Sequence, residues 1–317
     1  MIQYRFDEKS KTLYLRGDGT IEGYESSSLA LSLRKPWDDY DIETVIIEEG
    51  ITGIGEQSFS GFASLKSITI PNTVTEIGDL VFSECTSLSS ITIPDSVKEI
   101  APSSFSDCTS LTSFVVSHNN PNYCSIDGIL FNKNKTTIIR YPPGKVITSY
   151  TLPKNITAIG SGAFSDCESL KSIIIPEGVV EIGEHAFSGC TSLYSITIPN
   201  SVKKIGEWAF GLCLSLHSIT IPDSVEEIGN FAFSDCYSLS SIIIPDSVEE
   251  IGHSAFIRCE NIEKITFSLQ LTRLDLDGMC RFCDNLKIIE VGPYTNLINV
   301  PAGLKIIRRG DNQWHCL

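Results

Sequence analysis

"SITIPDSVEEIG" (218–229) and "SIIIPDSVEEIG" (241–252) differ at one position and start 23 residues apart. A chain that spells one phrase twice at a fixed distance is built from repeats, so the register is followed outward first. The Ile-Gly pair recurs at Ile54-Gly55, Ile77-Gly78, Ile159-Gly160, Ile182-Gly183, Ile205-Gly206, Ile228-Gly229 and Ile251-Gly252, with Ile100-Ala101 in step. The spacing is 23 throughout, apart from one gap of 59 between Ile100 and Ile159. Five residues after each Ile stands a Phe: Phe59, Phe82, Phe105, Phe164, Phe187, Phe210, Phe233 and Phe256. Three further on comes Phe62, then Cys85, Cys108, Cys167, Cys190, Cys213, Cys236 and Cys259.

Within a unit, I-x-I alternates with period two, which predicts a short strand with Ile91 and Ile93 inward and Ser90 and Thr92 outward. The proline after it (Pro71, Pro94, Pro176, Pro199, Pro222, Pro245) has no N–H for a ladder and marks where pairing stops. The A-F-x-x-C segment is too short for a long helix and predicts one turn of α or 3-10 helix. One unit buries about seven apolar side chains at roughly 1.5 to 3 kcal/mol each. Ordering its backbone costs about 1 to 2 kcal/mol per residue, so a single unit cannot fold alone. Stacked units supply one another with the far wall of the core, which predicts an α/β repeat solenoid with a parallel β-sheet on one face and short helical or 3-10 turns opposite.

Composition narrows the function classes. Of 317 residues 42% are hydrophobic, enough for a continuous core, and no run approaches the ~20 apolar residues that span a bilayer, so membrane insertion is not expected. A formal charge of −15 disfavours nucleic acid and anionic lipid as partners. The start, "MIQYRFDEKSK", lacks the basic and apolar regions of a secretory signal.

The segment "SLSSITIPDSVKEIAPSSFSDC" (87–108) and its siblings resemble the 23-residue leucine-rich repeats of the BspA-like bacterial surface protein family. "NPNYCSIDGILFNKNKTTIIRYPPGK" (120–145) resembles an enlarged repeat of that family, and "KTLYLRGDG" with "PWDDYDIETVIIEEGITGIG" resembles its N-terminal cap. The resemblance implies a right-handed leucine-rich-repeat horseshoe or rod, of about eleven turns counting degenerate ones, used for adhesion or recognition at bacterial surfaces rather than for catalysis. The organisation read from the chain is an N-terminal cap over 1–41, a β-hairpin plus short helix or loop with Trp37 in its core, then turns over 42–110. An enlarged repeat follows over 111–146, with a hairpin bulging from it that reads as structural, the alternative being that Tyr123, Arg140 and Tyr141 form a contact surface. Regular turns resume over 147–261, and 262–317 holds degenerate repeats and a C-terminal cap.

Eleven cysteines raise disulfide and metal readings, but seven share one repeat position with Phe62, which marks them as small buried apolar residues without neighbour-to-neighbour disulfides. Cys280 and Cys283 form one C-x-x-C, and His315-Cys316 lies near the terminus, yet no second spaced pair completes a zinc site. The histidines (His118, His185, His217, His253, His315) fall at different repeat positions, so no triad can be assembled. "DLDG" (275–278) lacks the other ligands of a calcium loop, and the sequons at Asn134 and Asn155 are expected by chance. The expectation is therefore a protein that is not an enzyme, with no cofactor and no metal.

Recognition would sit at outward positions that vary. The strand face is monotonous, with Ser195, Ser218 and Ser241 in one column and Thr197 and Thr220 in another, and reads as a neutral hydroxyl ladder. Two residues after the glycine, by contrast, His185, Trp208 and Phe231 follow one another at positions that elsewhere hold Gly162 or Ser103. Tyr194, His217 and Tyr237 add aromatic groups in the same turns, with Leu214 beside them, and aromatic anchors are what interfaces use. These six rings are the candidate partner-binding residues; the other account of them is packing on the outer wall. The function expected is a non-catalytic protein- or glycan-binding module on or outside a bacterial cell, and the alternative is an intracellular structural or scaffolding module, for which a row of reduced thiols is suited.

Overall fold

The computed structural model describes residues 1–23 and 35–310. They fall into two compact units, Met1–Lys145 and Val146–Leu317. In both, a repeat folds as two short strands and a run of tight turns. The first strand is the expected one: Ser195–Thr197 pairs in parallel with Ser218–Thr220, Ile196 against Ile219, the isoleucines buried and the Ser and Thr exposed.

The structure adds a second parallel sheet that the sequence reading lacked. It runs through two-residue strands at the V-x-x-I segment, with Glu181–Ile182, Lys204–Ile205, Glu227–Ile228 and Glu250–Ile251 joined edge to edge. A glycine follows each of these strands because the turns touch backbone to backbone there. A Cβ on Gly229 would lie 2.5 Å from the Glu207 amide nitrogen, and one on Gly252 would lie 2.2 Å from that of Asn230.

The expected helical turn at A-F-x-x-C does not form, and among the described residues the single helix is Leu276–Cys280. The reason is a left-handed residue two positions after the glycine: Leu80, His185, Trp208, Phe231 and Ser254 have φ of 52–55°. A second follows four residues later at Glu84, Leu212, Asp235 and Arg258. Successive amides then point alternately along the chain and across to the next turn. Ala209 N donates to Gly206 O at 3.2 Å, Phe210 N to Ala232 O at 2.8 Å, Gly211 N to Trp208 O at 3.0 Å and Leu212 N to Ser234 O at 2.9 Å. A helix would need every one of those donors for itself.

Between the sheets the Phe column stacks almost face to face. Phe187 and Phe210 lie 5.4 Å apart at 3°, Phe210 and Phe233 5.5 Å apart at 6°. In the first unit Phe59, Phe82 and Phe105 do the same at 5.9 and 5.5 Å.

The first unit begins with the antiparallel hairpin of Gln3–Asp7 and Thr12–Arg16, whose second strand pairs in parallel with Thr44–Ile47. Trp37 is buried against Phe59, and its indole N–H donates to Ser58 O at 3.2 Å. The enlarged repeat forms three antiparallel strands, Tyr123–Ile126, Ile129–Asn132 and Thr137–Arg140, where a two-stranded hairpin was expected. Buried Asn120 pins it to the preceding turn, donating to Pro94 O and Val97 O and accepting from the amides of Asn122 and Tyr123. Burial goes against the alternative of a contact surface there: Arg140 and Tyr141 are 2% and 1% exposed, and the half-buried Tyr123 hydroxyl accepts from Ile100 N. In the second unit the strand column continues beyond the regular repeats through Lys264–Thr266, Ile288–Val291 and Lys305–Arg308.

Candidate recognition surface

The ring column at 185, 208 and 231 projects from the left-handed position, so its spacing is set by the stacking of turns. His185 and Trp208 stack at 6.1 Å and 5°, Trp208 and Phe231 at 4.8 Å and 14°. His185 is exposed, and the two larger rings are half-buried. Trp208 lies flat over Gly211: a Cβ there would meet the indole Cε3 at 2.4 Å, and the equivalent positions in other turns carry serine, as at Ser188 and Ser234. His253, which the sequence reading left out, closes the row edge-on to Phe231 at 6.5 Å and 89°.

The other three candidates stand apart from this ladder. Tyr194 and His217 stack on each other at 5.7 Å and 9°, both exposed, just before the outward strand face. Tyr237 donates its hydroxyl to Asp235 at 3.1 Å, a bond that raises the phenol above its ordinary range, and Arg258 lies 3.6 Å from the same carboxylate. Arg258 and Arg281 in turn lie over the exposed Phe282 ring. What looks like one aromatic patch in sequence is a ladder, a pair and a polar cluster, because buried Ala209, Phe210, Cys213 and Leu216 separate the corners of each coil.

Beside the ladder runs a groove of about 250 Å³. Its floor is the backbone at Gly229 and Gly252, where no side chain fits, and its walls carry Glu184, Glu207, Glu227 and Glu250. One cation stands in it: Lys204 Nζ meets Glu227 Oε1 at 2.9 Å.

The cysteine column is more than apolar filling. Cys85, Cys108, Cys190, Cys213, Cys236 and Cys259 each donate S–H to the Phe carbonyl one turn back, at 3.0–3.2 Å. Cys283 makes the same bond to Phe256 O at 3.0 Å and so continues the column past the point where its sequence register slips. Burial pushes the thiols of Cys85, Cys190, Cys213, Cys236, Cys259 and Cys280 well above the ordinary range, and that of Cys283 up to about 12. Thiols held protonated in this way are poor nucleophiles near neutral pH. Among the described residues no group of three or more His, Cys, Asp or Glu side chains is arranged to hold a metal, and His315 and Cys316 lie outside those residues. Asp275 of "DLDG" instead caps the short helix, accepting from Gly278 N at 3.2 Å. No described helix is long and apolar enough to cross a membrane.

Stacked coils with parallel strands and buried columns of Leu, Ile, Val, Phe and Cys repeated in every turn make this a repeat solenoid. The chain belongs to the BspA type leucine-rich repeat family, whose repeat region it matches in six copies over residues 37–146, 143–213 and 180–302. Among solved structures it is similar to a leucine-rich repeat protein of Eubacterium ventriosum at 24% identity and a TM-score of 0.68, over 96% of this chain and 90% of that one. It is also similar to the pneumococcal vaccine antigen PcpA, at 20% and 0.62 over 97% and 91%, and to a leucine-rich repeat protein of Bacteroides ovatus, at 26% and 0.50 over 97% and 77%. A search of curated proteins finds no match.

Proposed function

We propose that the protein is a non-catalytic recognition module that binds a protein or glycan at a bacterial surface through the His185–Trp208–Phe231 ladder. The observation that carries this reading is the row of partly exposed, stacked rings in a column where other turns hold Ser103, Gly162 or Ser254. Each of the three ring residues is held at a φ of 53–54°, where a side chain with a Cβ costs about 1 to 2 kcal/mol relative to glycine. The two ring–ring stacks return about 0.5 to 1.5 kcal/mol each, and the half-burial of Trp208 and Phe231 adds to that. Gly162 holds the same place in another turn without strain. Leu80 and Ser254 share that angle, so it belongs to the fold; what sets these three turns apart is a row of large stacked rings, and interface energy concentrates in such anchors. The surface location rests on the family and on the likeness to a vaccine antigen, a molecule that antibodies must reach.

The test is binding of the purified chain to arrays of glycans and extracellular proteins, repeated with Trp208→Ala and Phe231→Ala. Loss of the strongest interactions by about tenfold or more in both variants is the expected result. Full retention of every interaction in both variants overturns the assignment.

A further inference from the structure

We propose that the ladder and the groove beside it form one surface that takes an extended peptide segment bearing arginine or lysine side chains. This rests on the ladder being a recognition site and adds the chemistry of what it recognises.

Three observations in the second unit point to a cationic occupant. The first is continuity. His253 stands two residues after Ile251, in the column that Glu207 occupies after Ile205 and Glu184 after Ile182. Its ring lies edge-on to Phe231, so the column borders the ladder at that turn. Asn230 of the same column donates its side-chain amide to Glu207 Oε2 at 3.1 Å, so the column that borders the ladder also lines the groove. The second is charge. Four glutamates line the groove against the single cation of Lys204, and Glu184 and Glu250 are exposed at its rim.

The third is the behaviour of Lys204 itself. Its hydrogen bond to Glu227, followed by the charges of Glu227, Glu181 and Glu184, holds the ammonium above the usual lysine range. The groove already favours a positive group. A basic peptide can stack one guanidinium plane on the half-buried indole or phenyl ring while a neighbouring basic side chain pairs with a carboxylate of the groove. Gly229 and Gly252 line the groove between its glutamates without a side chain of their own.

The first unit shows that acid alone is common to the repeat. Glu76 and Glu99 occupy the same column as Glu227 and Glu250, but the ladder position there holds Gln57, Leu80 and Ser103. Carboxylates and rings coincide in the turns from 182 to 253.

The experiment uses the full chain and a fluorescein-labelled peptide of about a dozen residues alternating Arg and Ser, followed by anisotropy over a salt series. Replacing Glu184, Glu207, Glu227 and Glu250 by Gln together is expected to weaken binding about tenfold and flatten its salt dependence. Trp208→Ala is expected to weaken it to a similar degree with the salt slope unchanged. A variant with Glu49, Glu76, Glu84 and Glu99 changed to Gln carries the same charge change on exposed sites of the first unit and should bind as the parent does. Equal weakening by that variant, or no binding of the peptide by the parent, overturns the inference. Binding of a Glu–Ser peptide or of a neutral oligosaccharide that depends on Trp208 but not on the four glutamates also overturns it, and leaves the ladder standing as a recognition site for a different chemistry.

Discussion

The thiol column makes stability depend on alkaline pH in a direction and size that can be worked out. Cys213 is fully buried, its S–H donates to Phe187 O at 3.2 Å, and burial raises its ionisation far above the ordinary thiol range. In the unfolded chain the same thiol ionises near pH ~8.5. A group whose folded-state value is raised contributes stability that is fully present below the unfolded value and is lost as pH rises past it. By pH 10 one such thiol has forfeited about 2 kcal/mol relative to pH 7, at ~1.4 kcal/mol per unit beyond the unfolded value. Cys190, Cys213, Cys236, Cys259, Cys280 and Cys283 behave alike in the second unit. Six times about 2 gives ~12 kcal/mol, as large as the whole stability of a typical domain. The second unit should therefore unfold near pH 10 under reducing conditions. Cys213→Ala isolates the effect of one thiol. At pH 7 it should be less stable by about 1–2 kcal/mol, for a lost hydrogen bond and a small cavity. Between pH 7 and 10 it should lose about 2 kcal/mol less than the parent, so the deficit closes. Urea unfolding followed by circular dichroism at pH 7, 8.5 and 10 with a phosphine reductant measures both. A gap between parent and variant that stays constant over that range would show that the thiol ionises as easily folded as unfolded, and the reasoning would fail.

Gly229→Ala should destabilise by about 1–3 kcal/mol, because the new methyl group meets the Glu207 amide nitrogen at 2.5 Å and neither backbone can retreat without shifting a turn; thermal unfolding with Ser215→Ala as the control checks it. Asn120→Ala leaves two carbonyls and two amides of the enlarged repeat without their partner, which should cost at least ~3 kcal/mol and speed amide exchange at Asn122 and Tyr123 first.

What could be read in the chain before its structure was whatever the stacking imposes on every turn alike. Phe187, Phe210 and Phe233 must fill the same volume in successive coils, so the column is visible as a period, and the strand at Ser218–Thr220 is visible because three residues suffice to show alternation. Two-residue strands such as Glu227–Ile228 leave no alternation to detect, and the second sheet was hidden for that reason. The failed helix has a different cause. A left-handed residue is legible when it is Gly or Asn, but Trp208 and Phe231 give no such signal, and their conformation follows from amides that must serve the neighbouring turn. The same cause shaped the candidate site. Its candidate residues were picked from the sequence, since a ring in a Gly or Ser column stands out, but their grouping could not be. His253 joins the ladder, and Tyr194 and His217 leave it, only once Trp208 is known to lie over Gly211 and the corner between them to be filled by Phe210 and Leu216. In a coil of this kind, position along the repeat gives the column, and the backbone angle at that position decides which columns meet.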